Sequence, residues 1–145
     1  MTLTAEIEAV LRDARTIAVV GLSSNPARPS HGVARYLQQQ GYRILPVNPG
    51  EREVLGETAY ADLNAATAAA GRVDIVDVFR RSEFVPDIAR DAIRIGARLL
   101  WLQEGVSHPE AEAEARAAGL LVVSNRCLLK VHVQWRRAKQ SGVAQ

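Results

Sequence analysis

"TIAVVGLSSNPARPSHGVARYL", residues 16–37, holds the junction on which the fold turns. A β-branched apolar run from Thr16 to Val20 ends at Gly21, and Val33, Tyr36 and Leu37 then fall at helical spacing in a helix opening near Ser30. A short, wholly apolar strand is the kind buried on both faces of a parallel sheet. Strand, glycine and helix in that order also begin a dinucleotide site, but such a site carries two more glycines. Here the loop holds Ser23, Ser24, Asn25, Pro26, Arg28 and Pro29 instead.

Working outward, the chain keeps switching between strand and helix patterns. Thr4 to Ala14 reads as an amphipathic helix with Ile7, Val10 and Leu11 on one side. Gly41 stands where a left-handed helix cap belongs, before "YRILPVNPG", a second strand closed by prolines. "VDIVDVF" is a third strand, after which Ser82 is placed to cap a helix ending at Gly96. "ARLLWL" is a fourth. In "SHPE", Ser107 and Glu110 match a capping box, opening a helix that runs to Gly119, and "LLVVS" is a fifth strand. "CLLKVHVQW" fits either period and is taken as helix. The alternation predicts an α/β fold over one domain, residues 1–145. It is a doubly wound, mainly parallel five-stranded sheet with helices on both faces.

Composition restricts the partners. The chain has 145 residues with 18 basic against 16 acidic, a formal net charge of +2, and no Lys/Arg block before "WRRAKQ". That balance argues against nucleic acid as a partner. No apolar run approaches the ~20 residues that span a bilayer. The N-terminus is too acidic for a secretory signal, and a single cysteine fits a reducing compartment, so a cytoplasmic location is expected.

In such a sheet, ligands bind beyond the carboxyl ends of the strands. The rule selects the loops Gly21–Ser30, Asn48–Gly50, Phe79–Ser82, Gln103–Ser107 and Ser124–Cys127. Arg28, Arg80, Arg81 and Arg126 lie among them, and a helix N-terminus adds partial positive charge, so an anion is favoured. Gly21 permits a tight exit, Ser23, Ser24 and Asn25 supply short donors, and Pro26 and Pro29 stiffen the turn. Ser30 alone could be no more than a helix cap. An NAD site would want an acid ending the second strand, where this chain has Val47, Asn48 and Pro49. NADP could still use Arg43 or Arg52.

These residues carry a resemblance. "IAVVGLSSNPARPSHGVARYLQQQGYRILPVNPG", "ETAYADL", "VDIVDVFRRSEFVPDIARDAI", "GARLLWLQEGV" and "RAAGLLVVSNRC" resemble the stand-alone CoA-binding proteins, from about Thr16 to Cys127. Those proteins are relatives of the CoA-binding domain of the succinyl-CoA synthetase α subunit. The resemblance implies a Rossmann-like domain holding coenzyme A or an acyl-CoA at the sheet's C-terminal edge. It would place phosphates on Gly21, Ser23, Ser24, Asn25, Pro26, Arg28 and Ser30. Val47, Asn48 and Pro49 would border adenosine, beside Phe79, Arg80 and Arg81. Gln103 and Gly105 would face the pantetheine arm. Where relatives read Asp-Arg-Cys, followed four residues later by glutamate, this chain has Asn125 and Val131. A homodimer or a larger partner protein stays open.

Motifs for catalysis are missing: no HxxE, CxxC, GxSxG or paired-carboxylate spacing occurs. Binding that is non-catalytic or regulatory is therefore expected. His31 falls in the first turn of its helix, His108 reads as surface and His132 as packing. Asp74 and Asp77 could do acid–base work or be structural. Cys127 follows the fifth strand beside Arg126, where CoA disulfide could reach it. An NAD(P)-dependent oxidoreductase and an adaptor acting through protein contacts are the competing functions.

Overall fold

The computed structural model describes residues 3–142. Helix α1 (Ala5–Asp13) is capped by Thr4, whose hydroxyl accepts from the Ile7 N–H at 3.2 Å, and it buries Ile7, Val10 and Leu11. Then follow β1 (Thr16–Val20), α2 (Pro29–Gln39), β2 (Arg43–Val47) and a small hairpin, β3 (Glu53–Val54) with β4 (Glu57–Thr58). Next come α3 (Leu63–Ala70), β5 (Ile75–Val78), α4 (Val85–Arg94), β6 (Leu99–Leu102), α5 (Pro109–Ala117), β7 (Leu121–Val123) and α6 (Leu128–Gln140). The sequence reading did not include the hairpin.

Five strands form one parallel sheet in the order β2-β1-β5-β6-β7. Alternation along each strand sorts its side chains between two cores. Ile17, Val19, Ile44, Ile75, Leu99 and Trp101 pack with α1, α2 and α6. Ala18, Val20, Leu45, Val76, Val78, Leu100 and Leu102 pack with α3, α4 and α5. Helices on both faces explain why these strands are apolar throughout rather than alternating. Pro46 is tolerated because β2 is an edge strand, where a missing N–H breaks no ladder. Asp74 turns out to be structural: its Oδ2 accepts from the N–H groups of Arg15 and Thr16 at 2.8 and 3.2 Å, fixing the start of β1.

Three helix starts differ from the sequence reading, and proline is involved each time. Ser30 is not a cap: Arg28 is the N-cap of α2, and Pro29 takes the first helical position, where its absent N–H costs nothing. Ser82 opens a 3₁₀ turn, Ser82–Phe84, before α4 starts at Val85 with Pro86 behind it. The Ser82 hydroxyl accepts instead from the Ser107 N–H at 3.0 Å. The cap expected of Ser107 moves one residue along to His108 and its return acid two, from Glu110 to Glu112, since Pro109 again sets the first turn. His108 Nδ1 accepts from the Ala111 N–H at 3.2 Å, and Glu112 accepts from the His108 N–H at 2.8 Å. The final segment is helical, with Leu128, His132 and Trp135 buried. No helix among the described residues is long and apolar enough to cross a membrane.

Candidate functional site

The chain leaves β1 for β2 on one side and returns to β5 on the other, so strand order reverses between β1 and β5. At that point the crevice opens above the carboxyl ends. Gly21 is the hinge of the crevice. Its N–H donates to the Val47 carbonyl at 2.8 Å, its φ is +87°, and an added Cβ would lie 2.5 Å from the Phe79 carbonyl oxygen. Only glycine fits where the first and third crossing loops meet so closely.

Three cavities adjoin along this edge. The first, about 310 Å³, is lined by Gly21, Ser23, Arg28, Pro29, Ser30, Asn48 and Phe79. Across Pro29 and Phe79 lies a second of about 430 Å³, whose wall includes Val33, Arg80, Arg81, Gln103, Gly105 and Cys127. A third, about 140 Å³, shares Arg80 with the second and is walled by Val20, Val47, Pro49, Asp62, Leu63 and Ile88.

The Gly21–Ser30 loop is held in shape by its own polar groups. Ser30 is buried, and its hydroxyl accepts from the Ser23 N–H at 3.1 Å. Ser23 Oγ accepts from the Asn25 N–H at 3.0 Å, and Asn25 Oδ1 from the Ala27 N–H at 2.9 Å. Asn48 ties this loop to the next: its amide donates to the Leu22 carbonyl at 3.0 Å and accepts from the Gly50 N–H at 2.9 Å. Ser24, Asn25 and Pro26, expected to face an anion, are exposed and line none of the three cavities. The Ser24 N–H is taken by Glu51 at 2.8 Å, and this bond holds the Glu51 carboxyl below its ordinary pKa. Ser24 and Asn25 thus shape the turn rather than present donors to the cavity.

The arginines separate into two kinds. No carboxylate among the described residues lies within ion-pair distance of Arg28 or Arg80. Arg80 lies over the Phe84 ring, 4.2 Å from its centre, which braces the guanidinium without neutralising it. Arg81 pairs with Glu83 at 3.3 Å and is mostly exposed, so it is largely a surface pair.

Deeper, Gln103 is buried at the end of β6, and its Nε2 donates to Asp77 Oδ1 at 2.6 Å. Asp77 is fully buried, which pushes its carboxyl up to about 7 against the opposing pull of the Gln103 bond. Asn125 has a φ of +56°, and its Oδ1 accepts from the Gly105 N–H at 2.8 Å, joining the two last loops. Asparagine tolerates that backbone better than most residues. Cys127, half-buried, is the N-cap of α6. His132 lies far from the rim among aromatic rings, His108 caps α5, and His31 lines none of the three cavities.

Sequence reasoning missed the walls. Val20, Leu63, Ile88, Val33 and Val106 are apolar positions indistinguishable from core until the topology sets them at an opening. Phe84 and Glu51 carry no motif either, though Glu51 is the first acid past the second strand.

Comparisons with known proteins bear on the family and the fold. A family model described as a CoA binding domain matches residues 15–133. The Bacillus subtilis protein YneT is 40% identical over 128 residues, covering 88% of this chain and 93% of its own. A solved Thermus thermophilus structure, cell-free ID.343, is 45% identical with a TM-score of 0.81, over 89% of this chain and 96% of that one. A Pyrococcus horikoshii structure is 31% identical with a TM-score of 0.83, over 92% and 96%. The dinucleotide forming acetyl-coenzyme A synthetase 1 of Ca. Korarchaeum cryptofilum shares the fold at 23% identity and a TM-score of 0.68, over 79% of this chain and 27% of that one.

Proposed function

This chain belongs to the CoA binding domain family, and we propose that it binds coenzyme A or an acyl-CoA along the carboxyl edge of the sheet without transforming it. The observation that carries the reading is the pairing of cavities. One has the unpaired Arg28 beside a helix N-terminus, and its neighbour across Pro29 and Phe79 is a larger chamber floored by Gln103. A polyanion joined to a long, mostly uncharged arm needs those two environments side by side.

The residues fit the ligand. A diphosphate suits the polar cavity of Gly21, Ser23, Arg28 and Ser30, where guanidinium and helix dipole act together. The absence of a Cβ at Gly21 keeps the two loops close enough to form one floor. Ser24, Asn25 and Pro26 hold the turn rigid, so little ordering is lost on binding. Val47, Asn48 and Pro49, with Phe79, Arg80 and Arg81, border the adenosine. The 3′-phosphate, carrying about −1.5 to −2 charges at pH 7, finds Arg80 free of a carboxylate partner. Gln103 and Gly105 flank the arm. Asn48 stands where a nicotinamide dinucleotide would want an acid for its ribose, and Glu51 is engaged with Ser24.

Acting without catalysis, the chain would serve as a sensor or reservoir of the coenzyme in the cytoplasm. Calorimetric titration with CoA, acetyl-CoA, NAD and NADP tests the reading. Saturable one-to-one binding of CoA or acetyl-CoA with no heat from NAD is expected. Binding of NADP alone would replace this function with a redox one, and no nucleotide binding would favour an adaptor role.

A further inference from the structure

The cavity of about 430 Å³ is lined by Gln103, which bonds a buried polar group that nothing in the fold requires. β5 is apolar at every position but Asp77, whose register partners are Val19 on β1 and Trp101 on β6. A valine there would match its neighbours. Asp77 Oδ1 is held by Gln103, while Oδ2 has no hydrogen-bond partner among the described residues. Burying a carboxyl oxygen without a partner is costly, so a pair that served only structure would have satisfied both. Gln103 is itself buried and lines the cavity; its Nε2 is given to Asp77, and no described residue bonds its Oε1.

The chemistry of an amide facing a carboxyl gives this pair two settings. An ionised carboxylate only accepts, so it forces the Gln103 NH₂ group inward and turns Oε1, an acceptor, toward the cavity. A protonated carboxyl can donate its O–H to Oε1, which reverses the amide and turns the NH₂ group, a donor, toward the cavity. We propose that Asp77 and Gln103 together read the thiol end of the bound coenzyme, presenting an acceptor to a thiol or amide N–H when Asp77 is ionised and a donor to a thioester carbonyl when it is protonated. This rests on the CoA reading and assigns ligand selectivity within the same site.

Burial raises the Asp77 carboxyl to about 7, so both settings are populated near neutrality. Its strand neighbours, Val19 and Trp101, are uncharged, as are Pro29 and Val33 of α2 on the cavity wall. The charged or titratable groups on that wall are Arg80, Arg81, Cys127 and Glu104, the last paired with Lys130 of α6 at 3.1 Å. The pair acts by positioning, as a specificity element rather than a catalytic one.

The test is the ratio of acetyl-CoA to CoA dissociation constants between pH 5.5 and 8, measured for wild type and Asp77→Asn. Protonation of the shared 3′-phosphate affects both ligands alike and drops out of the ratio. Wild type should favour CoA at pH 8 and move about fivefold toward acetyl-CoA by pH 5.5, the size of one neutral hydrogen bond. Asp77→Asn has no titrating proton at this position, so the ratio for that variant should stay constant with pH. A wild-type ratio that does not change with pH, or a variant that follows wild type, overturns the inference while leaving CoA binding intact. Should the variant fail to fold, the wild-type series decides alone. If neither ligand binds, the CoA reading itself fails and this inference with it.

Discussion

A methyl group at position 21 would sit 2.5 Å from the Phe79 carbonyl, at a φ of +87° that side chains with a Cβ rarely adopt. Gly21→Ala should therefore lower the free energy of unfolding by about 1–3 kcal/mol. Denaturant titration measures this, and an unchanged midpoint would mean that the loops do not approach as described. Arg28 behaves differently, being exposed and without an ion pair among the described residues. Arg28→Ala should leave the unfolding midpoint alone and weaken CoA by about 1.5–3 kcal/mol, the worth of a charged hydrogen bond. Arg81→Ala should matter less, because Glu83 already answers its charge. Equal losses from both substitutions in calorimetry would contradict the distinction. The glycine and the arginines were legible in the sequence because loop chemistry is local. The roles of Ser24 and Asn25 were not, since a short polar side chain serves a turn as readily as a ligand.

Among the elements, α6 shows what periodicity alone leaves open. Its apolar residues satisfy a period of two and of 3.6, and tertiary contacts decide for the helix. His132 is buried at the centre of those contacts: Tyr36 Oη lies 2.7 Å from Nδ1, Tyr42 Oη 3.1 Å from Nε2, and Trp135 packs edge-on. Burial, then the nearby Arg136, pulls the imidazole down to about 4 from its ordinary 6.5. The unfolded chain binds that proton more readily than the fold. The stabilisation is thus complete above pH 6.5 and is lost as pH falls toward 4. Asp77 acts in the opposite sense, since its raised carboxyl takes up a proton in the fold first. The measurement is accordingly a comparison of wild type with His132→Gln at pH 7 and 4.5. The variant should lose less stability on acidification than wild type, and equal losses would remove His132 from the account. The three misplaced caps have a shared cause. Each serine sits near a proline that sets where the helix can begin; the freed hydroxyl of Ser30 braces its own loop at Ser23, and that of Ser82 bonds the neighbouring loop at Ser107.

At the scale of the molecule, the order β2-β1-β5-β6-β7 puts the proline-stiffened loop, the Phe79–Arg80 turn and the Gln103 loop along one rim. Apolar strand runs and the glycines that close the helices between them made the doubly wound sheet legible, because both-face burial leaves a strong mark on sequence. The cavities left none. Val20, Val33 and Ile88 look like core, and only strand order exposes them to an opening. The same topology makes the central claim concrete: one rim, a polar chamber for phosphate and a longer chamber for the arm. The crystal structure of the chain grown with coenzyme A tests it most directly. The account expects the diphosphate between Gly21 and Arg28 and the arm running past Phe79 to Gln103. Coenzyme found elsewhere on the molecule, or a crystal with the rim empty at saturating coenzyme, would contradict it.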